Sequence, residues 1–452
     1  MFSVLILLLV FADKTQSSPI EQVSNETSSN GFYKVDQDVD RFSVHNEIFG
    51  KFTNKKTFAC PIVKSTIHTG DSLANLSPED ISIVAAMGDS LATGKGLWEG
   101  TDVEFRGAAF PIGGDANIDG LVTVPNILSQ FQKSLNGLSH GMGPVENMPD
   151  YQYNVARAGA ETEDLPLQSL ELIRRIREQE GQNLRDKWVL LTVAIGSEEF
   201  CYRCEPPSHT SIRKALGQLR KRIPKLLVVL LGPVHVASSY KQRINLMKPR
   251  CSCLRNRTVE EYRSVSEEWK SSFMKIEEEF NNFNHTTFGV LAIPELSIHS
   301  RDPDSLFVPN RPLLNRKGHT YAAKWYWNLL MTGPGYNSSL AKFSEDSYYC
   351  PSIGCPYFRT VQNLHGCKIR TIEEKKELEL IKEETKNVND LRRDSMRMNL
   401  GGFMVLIFFL ATCSVCIFGS IFYAHGMKAT KGRFDYSKKD DDETEIHEES
   451  ND

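Results

Sequence analysis

Ser90 is the residue whose setting best suits chemistry. It sits in the string Met87-Gly88-Asp89-Ser90-Leu91, directly after the apolar run Ile81-Ser82-Ile83-Val84-Ala85-Ala86-Met87. A short run of this kind reads as a buried strand, and a serine just past its end stands at the carboxyl edge of a sheet, where open α/β sheets bind ligands. The chemistry it could do is nucleophilic attack on an ester carbonyl, which needs a neighbouring base because a neutral hydroxyl is a poor nucleophile. A second constellation is Cys201-x-x-Cys204 with Cys251-x-Cys253. Four such cysteines could hold a metal, but no histidine is spaced near them as a ligand, so disulfides are expected and no metal or other cofactor is called for.

Elements able to position Ser90 recur along the chain. Trp188 to Ile195 is an apolar run closed by Gly196, Leu226 to Leu231 is closed by Gly232-Pro233, and Gly289 to Ile293 is closed by Pro294. Continuous apolar runs of this length fit strands buried on both faces. Between them, Leu165 to Glu180, Ser211 to Ile223 and Val259 to Phe283 carry apolar residues at helical spacing. The alternation predicts one α/β domain with a central parallel sheet over residues 60–367.

The ends place this domain in a compartment. Phe2 to Ala12 is an apolar run too short to cross a bilayer, so residues 1–18 read as a signal peptide. Residues 19–59 form a polar, Ser/Asn-rich extension. Residues 368–398 are dense in Glu and Lys and read as a solvated helical stalk. Residues 400–424 are apolar and uncharged, long enough for one transmembrane helix. Residues 425–452 then form a cytoplasmic acidic tail, with the bulk of the chain extracellular or lumenal, a single-pass type I arrangement. A lipid-anchor signal also ends in an apolar segment, but polar residues follow this one.

Composition agrees with a secretory route. The net charge of −4 gives no support to a nucleic-acid partner. Of ten cysteines, Cys413 and Cys416 fall in the apolar span. The other eight, Cys60, Cys201, Cys204, Cys251, Cys253, Cys350, Cys355 and Cys367, form an even set suited to bridges. Asn25, Asn75, Asn256, Asn284 and Asn337 head Asn-x-Ser/Thr glycosylation sequons.

Several segments, in order, resemble the GDSL (SGNH) hydrolases, most closely the membrane-anchored phospholipase B branch. They are Ala86 to Leu91; Phe105-Arg106-Gly107; Ile112-Gly113-Gly114-Asp115; Pro125 to Leu128; Asn154 to Ala160 with Asp164-Leu165-Pro166; Phe200 to Cys204 with Cys251-Ser252-Cys253; Lys317-Gly318-His319; and Cys355 to Phe358. The resemblance implies a flavodoxin-like three-layer sandwich, a phospholipid or fatty-acyl ester ligand, and Asp89, Leu91 and Asn154 lining the substrate site. It further implies bridges from Cys201 and Cys204 to the Cys251/Cys253 pair, tying two strand-end loops together.

In that family a serine is activated by a histidine, which an aspartate three residues earlier orients, while the serine N–H, a glycine N–H and an asparagine hold the oxyanion. Ser90 matches the nucleophile and Gly159 the glycine donor. The rest departs. Glu198, in Gly196-Ser197-Glu198-Glu199, replaces the asparagine, and an ionised carboxylate beside a forming oxyanion is repulsive. Aligning Lys317-Gly318-His319 puts Asn310 at the aspartate and Leu313 at the histidine; none of the eleven histidines has an aspartate three positions before it. The leading expectation is a hydrolase fold that has lost or nearly lost ester cleavage and keeps a lipid pocket. An active phospholipase using His299 or His319 as base, aided by Asp302 or Asp304, is the alternative. An adhesion or receptor module is the third reading.

Overall fold

The computed structural model describes residues 34–35, 46–47, 60–238, 245–283, 285–333 and 349–430. The expected signal peptide, nearly all of the N-terminal extension, the sequons at Asn25, Asn284 and Asn337, and the tail from residue 431 lie outside the described residues. Two compact units divide near Ile372.

In the first unit the elements run in chain order as β1 (Ile81–Gly88), α1 (Ser90–Thr93), α2 (Val124–Leu128), α3 (Leu165–Glu180), β2 (Trp188–Ala194), α4 (Ser197–Tyr202), α5 (His209–Arg222), β3 (Leu226–Leu231), β4 (Val234–Ala237), α6 (Val259–Asn281), β5 (Phe288–Ile293), β6 (Leu296–His299) and α7 (Arg316–Thr332). The main sheet is parallel, in the order β1-β2-β3-β5. Every residue of β2 and β3 is buried, which is why both read as unbroken apolar runs.

On the free side of β1 the chain lays down an irregular fifth strand. Ala86 N–H donates to Tyr153 O at 3.0 Å and Val155 N–H donates to Ala86 O at 2.9 Å. Because this segment lies second in chain order, the sheet reads 2-1-3-4-5, the flavodoxin-like doubly wound order. Its order reverses between β1 and β2, and ligands bind in such sheets at the carboxyl ends of the strands flanking that point.

Pro233 and Pro294 lack the N–H that a ladder needs, so β3 and β5 stop there and resume as the parallel pair β4–β6. Gly232 N–H to Ile293 O at 2.8 Å and Leu296 N–H to Pro233 O at 2.9 Å carry the pairing across the break. Helices flank the sheet: α3, α5 and α6 pack side by side, and α2 packs with α7. From α7, Tyr326 OH reaches Thr192 Oγ1 of β2 at 2.9 Å. Disulfides join Cys60 to Cys350, Cys201 to Cys251, Cys204 to Cys253 and Cys355 to Cys367.

The second unit is one helix, α8 (Ile372–Thr430), of 59 residues. The charged segment expected as a stalk and the apolar segment expected to span a membrane fall on this single uninterrupted helix, and the most apolar stretch has no buried residue. It is a candidate transmembrane span.

Candidate active site

The site starts where β1 stops. Gly88 has φ +130°, and a Cβ there would stand 1.8 Å from Ala194 O at the end of β2. Only glycine lets the two strand ends come this close. Gln168 of α3 accepts Gly88 N–H at 2.7 Å and donates to Gly88 O at 3.0 Å, fixing both backbone groups of that turn.

Asp89 then caps α1. Its Oδ1 accepts Leu91 N–H at 3.0 Å, and its Oδ2 accepts the N–H groups of Gly196 and Ser197, both at 3.0 Å. One buried carboxylate thus ties the end of β1 to the turn after β2. Gly196 permits that turn, because a Cβ there would meet the Trp269 ring at 2.2 Å.

The consequence is a tight cluster at the switch point. Gly159 N–H donates to Ser90 Oγ at 3.3 Å and to Glu198 Oε2 at 3.0 Å. Ser90 N–H donates to the same Glu198 Oε2 at 3.3 Å. The two backbone donors that the family resemblance assigns to an oxyanion therefore converge on one carboxylate oxygen of this chain. Sequence reading expected Glu198 beside these donors; in the structure its Oε2 accepts both of them.

Electrostatics follow from crowding two carboxylates. Burial, then the charge of Glu198, pushes Asp89 well above the usual carboxylate range, against three backbone N–H donors. Glu199 was not singled out in the sequence, although it adjoins Glu198 in the same block. Its carboxylate accepts Thr162 N–H at 2.7 Å and Thr162 Oγ1 at 2.9 Å, anchoring the turn after Gly159; burial raises its pKa. At the mouth, burial and then Glu198 raise the Tyr202 phenol, while Arg311 opposes them. Arg311 itself pairs with Asp102.

The residues expected as substrate contacts also hold the scaffold together. Asp89, Leu91 and Asn154 are all buried. Asn154 donates to Ala92 O at 2.9 Å and accepts Ala156 N–H at 3.3 Å, stitching α1 to the irregular strand. Hydrogen bonding inside the protein engages the polar groups of Asp89 and Asn154.

The residues weighed as base or orienter sit in differing surroundings. Leu313 is 8% exposed, packed towards Gly96 and Val308. Asn310 is on the surface with φ +57°, a conformation that asparagine tolerates. The His319 ring is fully buried; its Nδ1 accepts Phe110 N–H at 3.2 Å, and burial drives its pKa down to about 3. His299 ends β6, where burial and then His235 lower its pKa. Asp304 pairs with Arg250 at 3.0 Å.

A sequence model of the GDSL-like lipase/acylhydrolase family matches residues 84–326, more than half of the chain and the whole of the cluster just described. The chain belongs to this family. Among curated proteins, this GDSL chain is 29% identical over 326 residues to "Phospholipase B1, membrane-associated" of Mus musculus, covering 65% of this chain and 22% of the relative. The Rattus norvegicus protein of that name is 28% identical with the same coverage. The Homo sapiens protein is 28% identical over 339 residues, 67% of this chain and 23% of the relative. The GDSL chain thus spans under a quarter of the length of these relatives.

Proposed function

We propose that this protein is a membrane-anchored, phospholipase B-like GDSL domain that binds a fatty-acyl or phospholipid ligand and hydrolyses it slowly or not at all. The observation that carries the proposal is the Glu198 carboxylate lying 3.0 Å from Gly159 N and 3.3 Å from Ser90 N. Each oxyanion donor is typically worth about 3 kcal/mol of transition-state stabilisation. On this reading that stabilisation is unavailable until the Glu198 side chain is displaced. Leu313 adds a second obstacle, since an aliphatic side chain accepts no proton and Ser90 stays neutral.

Ligand binding asks for less than catalysis does. A cleft of about 500 Å³ opens beyond α1, walled by Leu97, Trp98 and Val122 together with Glu99, Asp119, Arg316 and Lys317, and does not include Ser90 or Gly159; its size lies in the range of small-molecule sites. The proposal includes a lumenal or extracellular GDSL domain, a cleaved signal segment, a cytoplasmic tail and an N-glycan at the exposed Asn256.

The test uses the full chain and its S90A variant against a phospholipid and lysophospholipid panel, with bound lipid identified by mass spectrometry. Equal hydrolysis by both proteins, together with acyl-lipid retention that W98A reduces, is the expected result. Comparison with W98A separates the cleft from lipid clinging to the apolar helix. Rapid hydrolysis that S90A abolishes would overturn the impaired reading, and retention unchanged by W98A would overturn the pocket.

A further inference from the structure

The opposite edge of the sheet holds a second cleft, of about 410 Å³. Asn136 pairs with the amino half of β1, donating to Ser82 O at 2.9 Å and accepting Val84 N–H at 3.0 Å. At about 3.3 Å per strand residue, this cleft lies roughly 20 Å from Ser90. It shares none of the residues of the cluster at the carboxyl edge.

Its floor is a preorganised polar network. Glu180 is 7% exposed; its Oε1 accepts Asn136 Nδ2 at 2.8 Å and Tyr153 OH at 3.2 Å, and its Oε2 accepts Lys187 Nζ at 2.5 Å. Burial pushes this carboxyl up, but Lys187, Asn136 and Tyr153 outweigh it and hold Glu180 below the usual range. On the rim, Tyr151 is 50% exposed. The exposed side-chain amides of Gln179 and Asn183 have no hydrogen-bond partner among the described residues.

The lining narrows the ligand class. Glu180 and Lys187 cancel in charge, so neither an anion nor a cation is selected. Two amides, a carboxylate and an ammonium disfavour an acyl chain. They suit a ligand whose groups both donate and accept, as hydroxyls do. An aromatic face at the rim suits the apolar C–H face of a pyranose ring, in the way such rings offer an apolar body beside polar contacts. From this juxtaposition of Tyr151, Gln179, Asn183, Glu180 and Lys187 we propose a binding site for a neutral hexose unit of a glycan. The site is independent of the reading given to Ser90.

The experiment is saturation-transfer NMR on the full chain in lipid nanodiscs, free of sugar detergents and with N-glycans removed enzymatically. Probes are glucose, galactose, mannose and N-acetylglucosamine with their disaccharides, and phosphate and choline as charged controls. The expected result is saturable millimolar binding of at least one neutral sugar, weakened about tenfold or more, near 1.4 kcal/mol, by Y151A and by N183A and kept by Y151F. Both altered side chains are exposed, so the fold should tolerate the changes. No saturable sugar binding, binding indifferent to Y151A and N183A, or stronger binding of phosphate or choline would each overturn the proposal.

Discussion

At the scale of single residues, the decisive contact is Glu198 Oε2 receiving the N–H groups of both Ser90 and Gly159. A carboxylate oxygen already occupies the two N–H groups that the family resemblance assigns to the oxyanion. On the proposed reading, faster ester cleavage requires vacating these N–H groups and supplying a base together. The combined variant E198N/N310D/L313H should hydrolyse p-nitrophenyl esters about 100-fold or more faster than the parent, the scale of general-base assistance. L313H alone should stay at the parent rate because Glu198 still fills the hole; a gain from L313H alone would contradict this.

Asp89 carries a linked pH effect. Its pKa is raised in the folded state by burial and by Glu198. Stability from the protonated Asp89 is present below the ordinary carboxylate pKa and lost as pH rises through the folded value. Substituting E198Q removes one cause of the raise, so urea midpoints should rise at pH 8 and change little at pH 4. An unchanged or lower midpoint at pH 8 would count against the coupling. The proposed replacement of the family's asparagine, aspartate and histidine was read from residues 196–199 and 310–313. The seating of Glu198 was not, because it depends on a side-chain conformation that spacing does not encode.

At the scale of elements, the sheet was readable because its strands are buried on both faces. Leu226–Leu231 and Leu165–Glu180 fall where their patterns placed them. The four-residue strands β4 and β6, just past prolines, and the irregular strand at 153–155 carry too few residues for a period to emerge. Gly88 decides whether β1 and β2 close on each other. G88A should abolish the yield of folded, protease-resistant protein, since its Cβ would overlap the Ala194 carbonyl; normal yield would refute that packing. The bridges Cys201–Cys251 and Cys204–Cys253 close loops of 50 and 49 residues. Removing both should cost about 4 kcal/mol in denaturant unfolding by loop-closure entropy, and removing one should cost much less, because the other still joins the same loops.

At the scale of the molecule, a disulfide-bonded GDSL unit is followed by a helix whose apolar half is exposed. Truncation before residue 400 should move the protein from the membrane pellet to the soluble fraction; persistence in the pellet would contradict a spanning role. The α/β class and the apolar helix were legible from periodicity and composition, and the flavodoxin-like order only from the family resemblance, whereas the polar cleft at the amino edge gathers Asn136, Tyr151, Glu180 and Lys187 from separate loop and helix segments that share no one period. The central claim, that Ser90 is not an activated nucleophile, is met most directly by labelling the full chain with a fluorophosphonate probe beside S90A. The account predicts no Ser90-dependent adduct by intact-mass spectrometry. A stoichiometric adduct on Ser90, absent in S90A, would contradict it.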